Sequence, residues 1–138
     1  MERDPELIRQ ILLEIESCEH GFVPCVFAVE GYKEEKVGYH CRLLSEAGLI
    51  IGLDVTSAGD PSPVYIPHRL TSQGHDFLDA ARNTSVWRTA MSKTFDVGLT
   101  VSTPVLKQLL ESLMRDQLGL RVGSLTAALD AKFAPNGE

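Results

Sequence analysis

Apolar residues return every three or four positions in most of the chain, broken by shorter stretches rich in β-branched residues, glycine and proline. Leu7, Ile8, Ile11, Leu12 and Ile15 form the first helical stripe. Asp4-Pro5-Glu6 precedes it, with a capping carboxylate, a proline suited to the first helical position and an acid that complements the helix dipole. This helix is predicted to end near Ser17, with Glu2, Arg9, Glu14 and Glu16 on a solvated face. A second stripe, Val37, Cys41, Leu44 and Gly48, is flanked by His40, Leu43 and Ala47. It predicts an amphipathic helix that stops at Gly48, since glycine adopts the left-handed conformation past a last turn without strain. Two strands follow, at Leu49–Val55 and Val64–Leu70, around a loop of Ser, Gly, Asp and Pro suited to a hairpin. Pro67 cannot donate a ladder hydrogen bond, so its strand lies at an edge or carries a bulge.

Thr71 caps the next helix, which buries Phe77, Leu78 and Ala81. Another runs from Thr84 to about Phe95, with Val86, Trp87, Ala90 and Met91 on one face and Trp87 as a core anchor. Thr103-Pro104 starts a helix with the strongest stripe in the chain: Val105, Leu106, Leu109, Leu110, Leu113, Met114 and Leu118. Gly119 is expected to end it. So broad a stripe covers either the first helix or a second subunit, making Leu106, Leu109, Leu110 and Leu113 candidate contacts of a homodimer. A short helix near Leu125–Phe133 and a disordered end are expected beyond.

Helix, glycine, strand, turn and strand is the order of a recognition helix and wing, and the string V..H..LL.EAGLI resembles the winged helix-turn-helix superfamily. One departure stands out. In CEHGFVPCVFAVEGY, where the superfamily has a second helix, Pro24 and the β-branched Val26 and Val29 favour a short strand at Val26–Val29 and a turn at Glu30-Gly31. Loss of that helix removes the usual brace for docking in a major groove. The strings RDPELIRQILLEIE, YHCRLLSEAGLI and RLTSQGHDFLDAARN, with the later VW, are similar over residues 1–120 to a bacterial and phage family of uncharacterised winged-helix proteins. That resemblance implies a winged-helix fold but carries over no activity and no site residues. The expected architecture is thus α+β: a winged-helix domain over 1–83 with a small antiparallel sheet, a packed helical extension over 84–120 and a tail over 121–138.

Charge changes the functional picture. Residues 1–60 carry five Lys/Arg against twelve Asp/Glu, a net of −7, whereas residues 61–138 carry eight against seven. The half with the recognition helix is therefore the acidic one, which opposes binding to phosphate unless a local basic patch emerges. The hairpin loop has no Lys or Arg either. With 43% hydrophobic and 23% charged residues the chain has the make-up of a folded globular protein. No apolar run is long enough to span a bilayer and no signal pattern opens the chain, so the cytoplasm is the expected location. Three cysteines at irregular spacing do not suggest a disulfide framework.

On the recognition helix, Glu35, Tyr39, Arg42 and Glu46 lie opposite the apolar stripe, with Lys36 to one side. Against DNA, Arg42 reaches guanine edges or phosphate, Tyr39 a phosphate or a thymine methyl, and Lys36 a phosphate, with His68 and Arg69 near the wing. Against a protein, Tyr39 beside Arg42 forms an anchor pair. The plainest alternative is a solvated face. Cys18, His20, Cys25, His40, Cys41 and His75 supply ligand types, but C-x-H-x4-C matches no strong zinc pattern, and no metal or cofactor is expected. His40 reads as a hydrogen-bonded boundary histidine. A Cys41–His75 nucleophilic pair is disfavoured because Cys41 falls on the buried stripe. No catalytic residue is assigned. Two expectations remain: a DNA-binding regulator of phage or mobile-element type, placed first by analogy of fold, and a non-enzymatic protein-interaction module acting on a host factor. A continuous positive strip across Lys36, Arg42 and Arg69 favours DNA, and positives scattered among Glu35, Glu46, Asp54 and Asp60 favour protein.

Overall fold

The computed structural model describes residues 2–18, 27–97 and 102–133. Within them the order is α1 (Pro5–Glu16), α2 (Glu34–Glu46), β1 (Ile50–Asp54), β2 (Tyr65–Leu70), α3 (Ser72–Arg82), α4 (Thr84–Val97) and α5 (Thr103–Phe133). The architecture is α+β, with one two-stranded antiparallel sheet.

α1 begins as its sequence dictates. Asp4 accepts hydrogen bonds from the Glu6 and Leu7 amides at 3.1 and 3.3 Å, and Pro5 takes the first helical position. All five apolar stripe residues are buried, and α1 packs on α2, β2 and α3. Its other face is not simply solvated: the Arg9 guanidinium donates to the Ala81 carbonyl at 3.0 Å and lies 5.7 Å from the Trp87 ring centroid. Glu16, on the same face, pairs with Arg82 of α3. A long arginine stem covers apolar surface while its head finds acceptors, so this face fastens α1 to α3.

The expected strand at Val26–Val29 is not present at Phe27–Val29, and Val26 lies outside the described residues, as does the rest of 19–26. The turn at Glu30-Gly31 does form, with Gly31 at φ +85° and the Tyr32 amide donating to Val29 at 3.2 Å. α2 begins a turn earlier than its apolar stripe, at Glu34, and ends in a Schellman motif. Gly48, at φ +77°, donates to Ser45, and Leu49 donates to Leu44, both at 3.0 Å. The buried Leu49 then leads straight into β1.

β1 and β2 pair from Ile50↔Leu70 to Asp54↔Tyr65, with an irregularity between Ile51 and Gly52 that leaves His68 as the extra residue beside Pro67. A proline with no N–H is accommodated at such a bulge. Thr71 caps α3 by accepting from the Gly74 amide at 3.0 Å, and it also donates to the Gly48 carbonyl at 2.6 Å. One side chain thus ties the start of α3 to the end of α2.

The last helix departs furthest from expectation. α5 runs through Gly119 to Phe133 and absorbs the separate helix expected near Leu125–Phe133; residues 134–138 lie outside the described residues. A glycine inside a helix costs only about 1 kcal/mol and ends it only where the chain turns left-handed; among the described residues only Gly31 and Gly48 do so. Its cap is Ser102 rather than Thr103: Leu106 donates to the Ser102 carbonyl at 2.9 Å and Thr103 is the first helical residue. The stripe packs chiefly on α3 and α4 rather than on α1. Leu106 and Leu110 are fully buried in the chain's own core, and Leu109 and Leu113 pack against it. The first two therefore have no surface left for a second subunit. Trp87 is buried as expected, and α4 ends at Val97, two residues beyond the predicted limit. No helix of the described residues is long and apolar enough to cross a membrane.

Candidate partner-binding face

Two elements present the residues singled out above: α2 and the β1–β2 hairpin. The stripe Val37, Cys41 and Leu44 turns α2 inward, together with Gly38 and His40. Glu35, Arg42 and Glu46 are exposed on the opposite side, and Tyr39 is half-buried with its ring edge-on to His40, centroids 5.6 Å apart.

Lys36 does not join this outer face. Its ammonium pairs with the Asp4 carboxylate at 3.0 Å and lies 5.4 Å from the Tyr32 ring centroid. One turn on, His40 is fully enclosed and uses both ring nitrogens: Nδ1 donates to the Lys36 carbonyl and Nε2 accepts from the Asp4 amide, each at 2.8 Å. Burial pushes the imidazole below its ordinary pKa, against the opposing pull of the Lys36 carbonyl and the Asp4 charge. Desolvation pushes the Asp4 carboxyl up, but Lys36 and the Leu7 and Glu6 amides together outweigh it and hold the group below the usual range. Lys36, His40 and Asp4 thus lock α2 to the start of α1. The i, i+4 spacing of Lys36 and His40 is visible in the sequence; their partner more than thirty residues away carries no local signal.

Arg42 is exposed yet engaged, with its Nε 3.4 Å from Glu46 and 3.9 Å from Asp54 at the end of β1. The hydroxyl and amide of Thr56, and then the charge of Arg42, hold the Asp54 carboxyl below its ordinary range. His68 and Arg69 are exposed on β2. Arg69 donates to the Leu70 carbonyl at 3.2 Å and borders a hollow with Ile15, Glu16, Ser72 and His75. The expected cations therefore sit in three separate places: Lys36 against α1, Arg42 between two carboxylates, and Arg69 beside the end of α1.

The hairpin carries a feature that residue-by-residue reading missed. Leu53 pairs with Ile66, and Val55 donates to the Val64 carbonyl at 2.9 Å, so these residues share one face of the sheet with Ile51. That face is open: Leu53 is 54% exposed, Ile51 43%, and Val55 and Val64 37% each. Alternation in LIIGLDV was the available signal, but nothing in it says which face meets the core.

Beside β2 runs a cleft of about 430 Å³, bounded by the first turns of α2 and the returning limb of the hairpin loop. Gly38 lets these walls meet, because a Cβ there would stand 2.5 Å from the Pro63 carbonyl oxygen. The pairings considered for metal or nucleophilic chemistry are not brought together. Cys41 is fully buried, which pushes its thiol up to about 12, whereas His75 is exposed in the hollow beside Arg69. Cys18 lies two residues past the end of α1, and His20 and Cys25 lie outside the described residues. Among the described residues no group of three His, Cys, Asp or Glu is placed to hold a metal ion.

Comparison with known proteins agrees with the resemblance in placing the chain in a family of uncharacterised proteins. An uncharacterised protein of Haemophilus influenzae is 36% identical over 121 residues, spanning 86% of this chain and 99% of the relative. No solved structure matches the chain significantly. Residues 2–100 match the family described as "Hypothetical protein (DUF2513)", and the chain belongs to that family.

Proposed function

We propose that this chain is a non-enzymatic winged-helix module of phage or mobile-element type that binds another protein through α2 and the hairpin. The order of α1, α2 and an antiparallel hairpin joined to α2 by a tight glycine turn supports the winged-helix reading. The observation that carries the choice of partner is the neutralisation of the recognition-helix cations by the chain's own carboxylates. Arg42 lies against Glu46 and Asp54, and Lys36 is held by Asp4. A surface that reads DNA presents cations free to displace counterions from phosphate. Here duplex DNA would have to compete with internal ion pairs while facing Glu35 and Glu46. The exposed apolar face of the hairpin fits a protein partner, since contiguous exposed apolar surface is characteristic of such contacts.

A photo-crosslinking amino acid at Leu53, in cells of a bacterial host, is expected to trap a discrete protein adduct. The same group at Arg88, exposed on α4, is expected to trap none. DNA binding is the second reading, favoured by Arg42, His68 and Arg69 lying exposed on α2 and the hairpin. Selection from a random duplex pool at low salt decides between them. An enriched motif with a steep salt dependence, lost in Arg42→Ala, would overturn the protein reading.

A further inference from the structure

We infer that the cleft between α2 and the returning limb of the hairpin receives a short segment of a partner protein that carries an apolar side chain flanked by lysine or arginine. This rests on the protein-partner reading above and specifies where the partner's chain docks and what chemistry it brings.

Three features of the cleft point to that occupant. The first is size and wall chemistry. About 430 Å³, lined by Val37, Val64, Tyr65, Ile66 and Phe27, lies within the range of sites that enclose a few side chains. The second is charge. Glu34 and Glu35 line the cleft and are exposed, and its lining includes no Lys, Arg or His. Neither glutamate belongs to an ion pair among the described residues, and the nearby cations Lys36 and Arg42 are already held by Asp4, Glu46 and Asp54. These two acids also occupy the first turn of α2, where they offset the positive end of the helix dipole and remove its attraction for an anion. The third is the balance of donors and acceptors. Pro61, Pro63 and Pro67 line one wall and have no N–H to offer, so the backbone there presents carbonyl oxygens in excess. An occupant that donates, through guanidinium, ammonium or its own amides, matches carboxylate rim and carbonyl wall at once. An acidic segment matches neither.

The test uses the full chain and a display library of random short peptides. Enriched peptides are expected to share an apolar residue with adjacent Lys or Arg. For a synthetic copy of a winner, the combined Glu34→Lys and Glu35→Lys variant is expected to weaken binding by about tenfold or more, and Glu34→Gln with Glu35→Gln by less. Arg88→Glu, exposed on α4 and outside the cleft lining, is expected to leave that affinity unchanged. Because the substituted glutamates are exposed, retained thermal stability checks that the fold is intact. Winners that are acidic, or the absence of any winner, would overturn the inference. Winners insensitive to the Glu34 and Glu35 variants but lost in Leu53→Glu would overturn the cleft while leaving the protein-partner reading standing. A duplex DNA motif lost in Arg42→Ala would remove both.

Discussion

At the scale of single residues, His40 is fully buried with both ring nitrogens hydrogen-bonded. Its bonds to the Lys36 carbonyl and the Asp4 amide are satisfied together only by the neutral ring with its proton on Nδ1. Burial depresses its pKa below the ordinary 6.5. The unfolded chain therefore binds the extra proton more readily than the folded one. Stability from this site is full above pH 6.5 and falls as pH drops from there through the folded value. Urea midpoints measured from pH 8 downward are expected to show that decline, and His40→Gln is expected to flatten it at a cost of about 1–3 kcal/mol at neutral pH. An equal slope in both proteins would refute the assignment. Asp4 contributes in a separate, more acidic window: its depressed pKa keeps its contribution intact above 3.8 and loses it as pH falls through the folded value. Cys41, with its thiol raised to about 12 and no exposure, is expected to resist alkylation at pH 8 while half-exposed Cys18 reacts. Mass spectrometry of the folded and denatured protein reads this directly, and labelling of Cys41 at the rate of Cys18 would contradict it.

At the scale of elements, the ends and contacts of α2 decide where the hairpin sits. The Schellman turn at Gly48 needs a positive φ, so Gly48→Ala is expected to cost about 1–2 kcal/mol. Gly38→Ala must displace the Pro63 carbonyl from a 2.5 Å approach, and a loss of about 1–3 kcal/mol is expected from such overpacking. Denaturant unfolding measures both, and no loss in Gly38→Ala would mean that the hairpin limb is not seated against α2. The turns at Asp4-Pro5, Gly48 and Thr71 were legible because each is a local exchange between one side chain or glycine and backbone groups a few residues away. Gly119 misled for the same reason: the signal for a stop is local, but whether a helix continues depends on its surroundings and on the conformation its glycine adopts. The expected strand at Val26–Val29 rested on β-propensity, which expresses fit to a neighbouring strand rather than a backbone preference.

At the scale of the whole molecule, one cluster of buried residues runs from Leu7 of α1 through Leu49, Phe77 and Trp87 to Leu110 of α5. α5 therefore completes the core rather than appending to it. Leu110→Ala is expected to lower stability by about 2–5 kcal/mol, measured by urea unfolding. Truncation after Leu118 keeps both fully buried leucines of α5 and is expected to leave a cooperatively folded chain. Surface charge also acts at this scale. The acidic bias of the first half was legible in composition, but the engagement of Lys36 and Arg42 was not, because their partners include Asp4 and Asp54, brought near only by packing. Leu53→Glu is expected to change stability by no more than about 0.5 kcal/mol, since it alters a solvent-facing position. The same substitution is expected to abolish the photo-crosslink when the group is placed at Ile51 beside it.

The sequence by itself determined the order of the five helices among the described residues, though not where the last one ends, together with the glycine stop of α2, the hairpin, and membership of an uncharacterised family. Those follow from short-range periodicity, caps and turns, and from strings long enough to match a relative. Only the tertiary structure decided that α5 covers α3 and α4, that His40 closes a lock with Asp4, that one face of the hairpin stays open, and that Glu34 and Glu35 border a cleft. Each of these depends on which surfaces distant segments bury against one another, and burial is a property of the assembled core rather than of any stretch of chain.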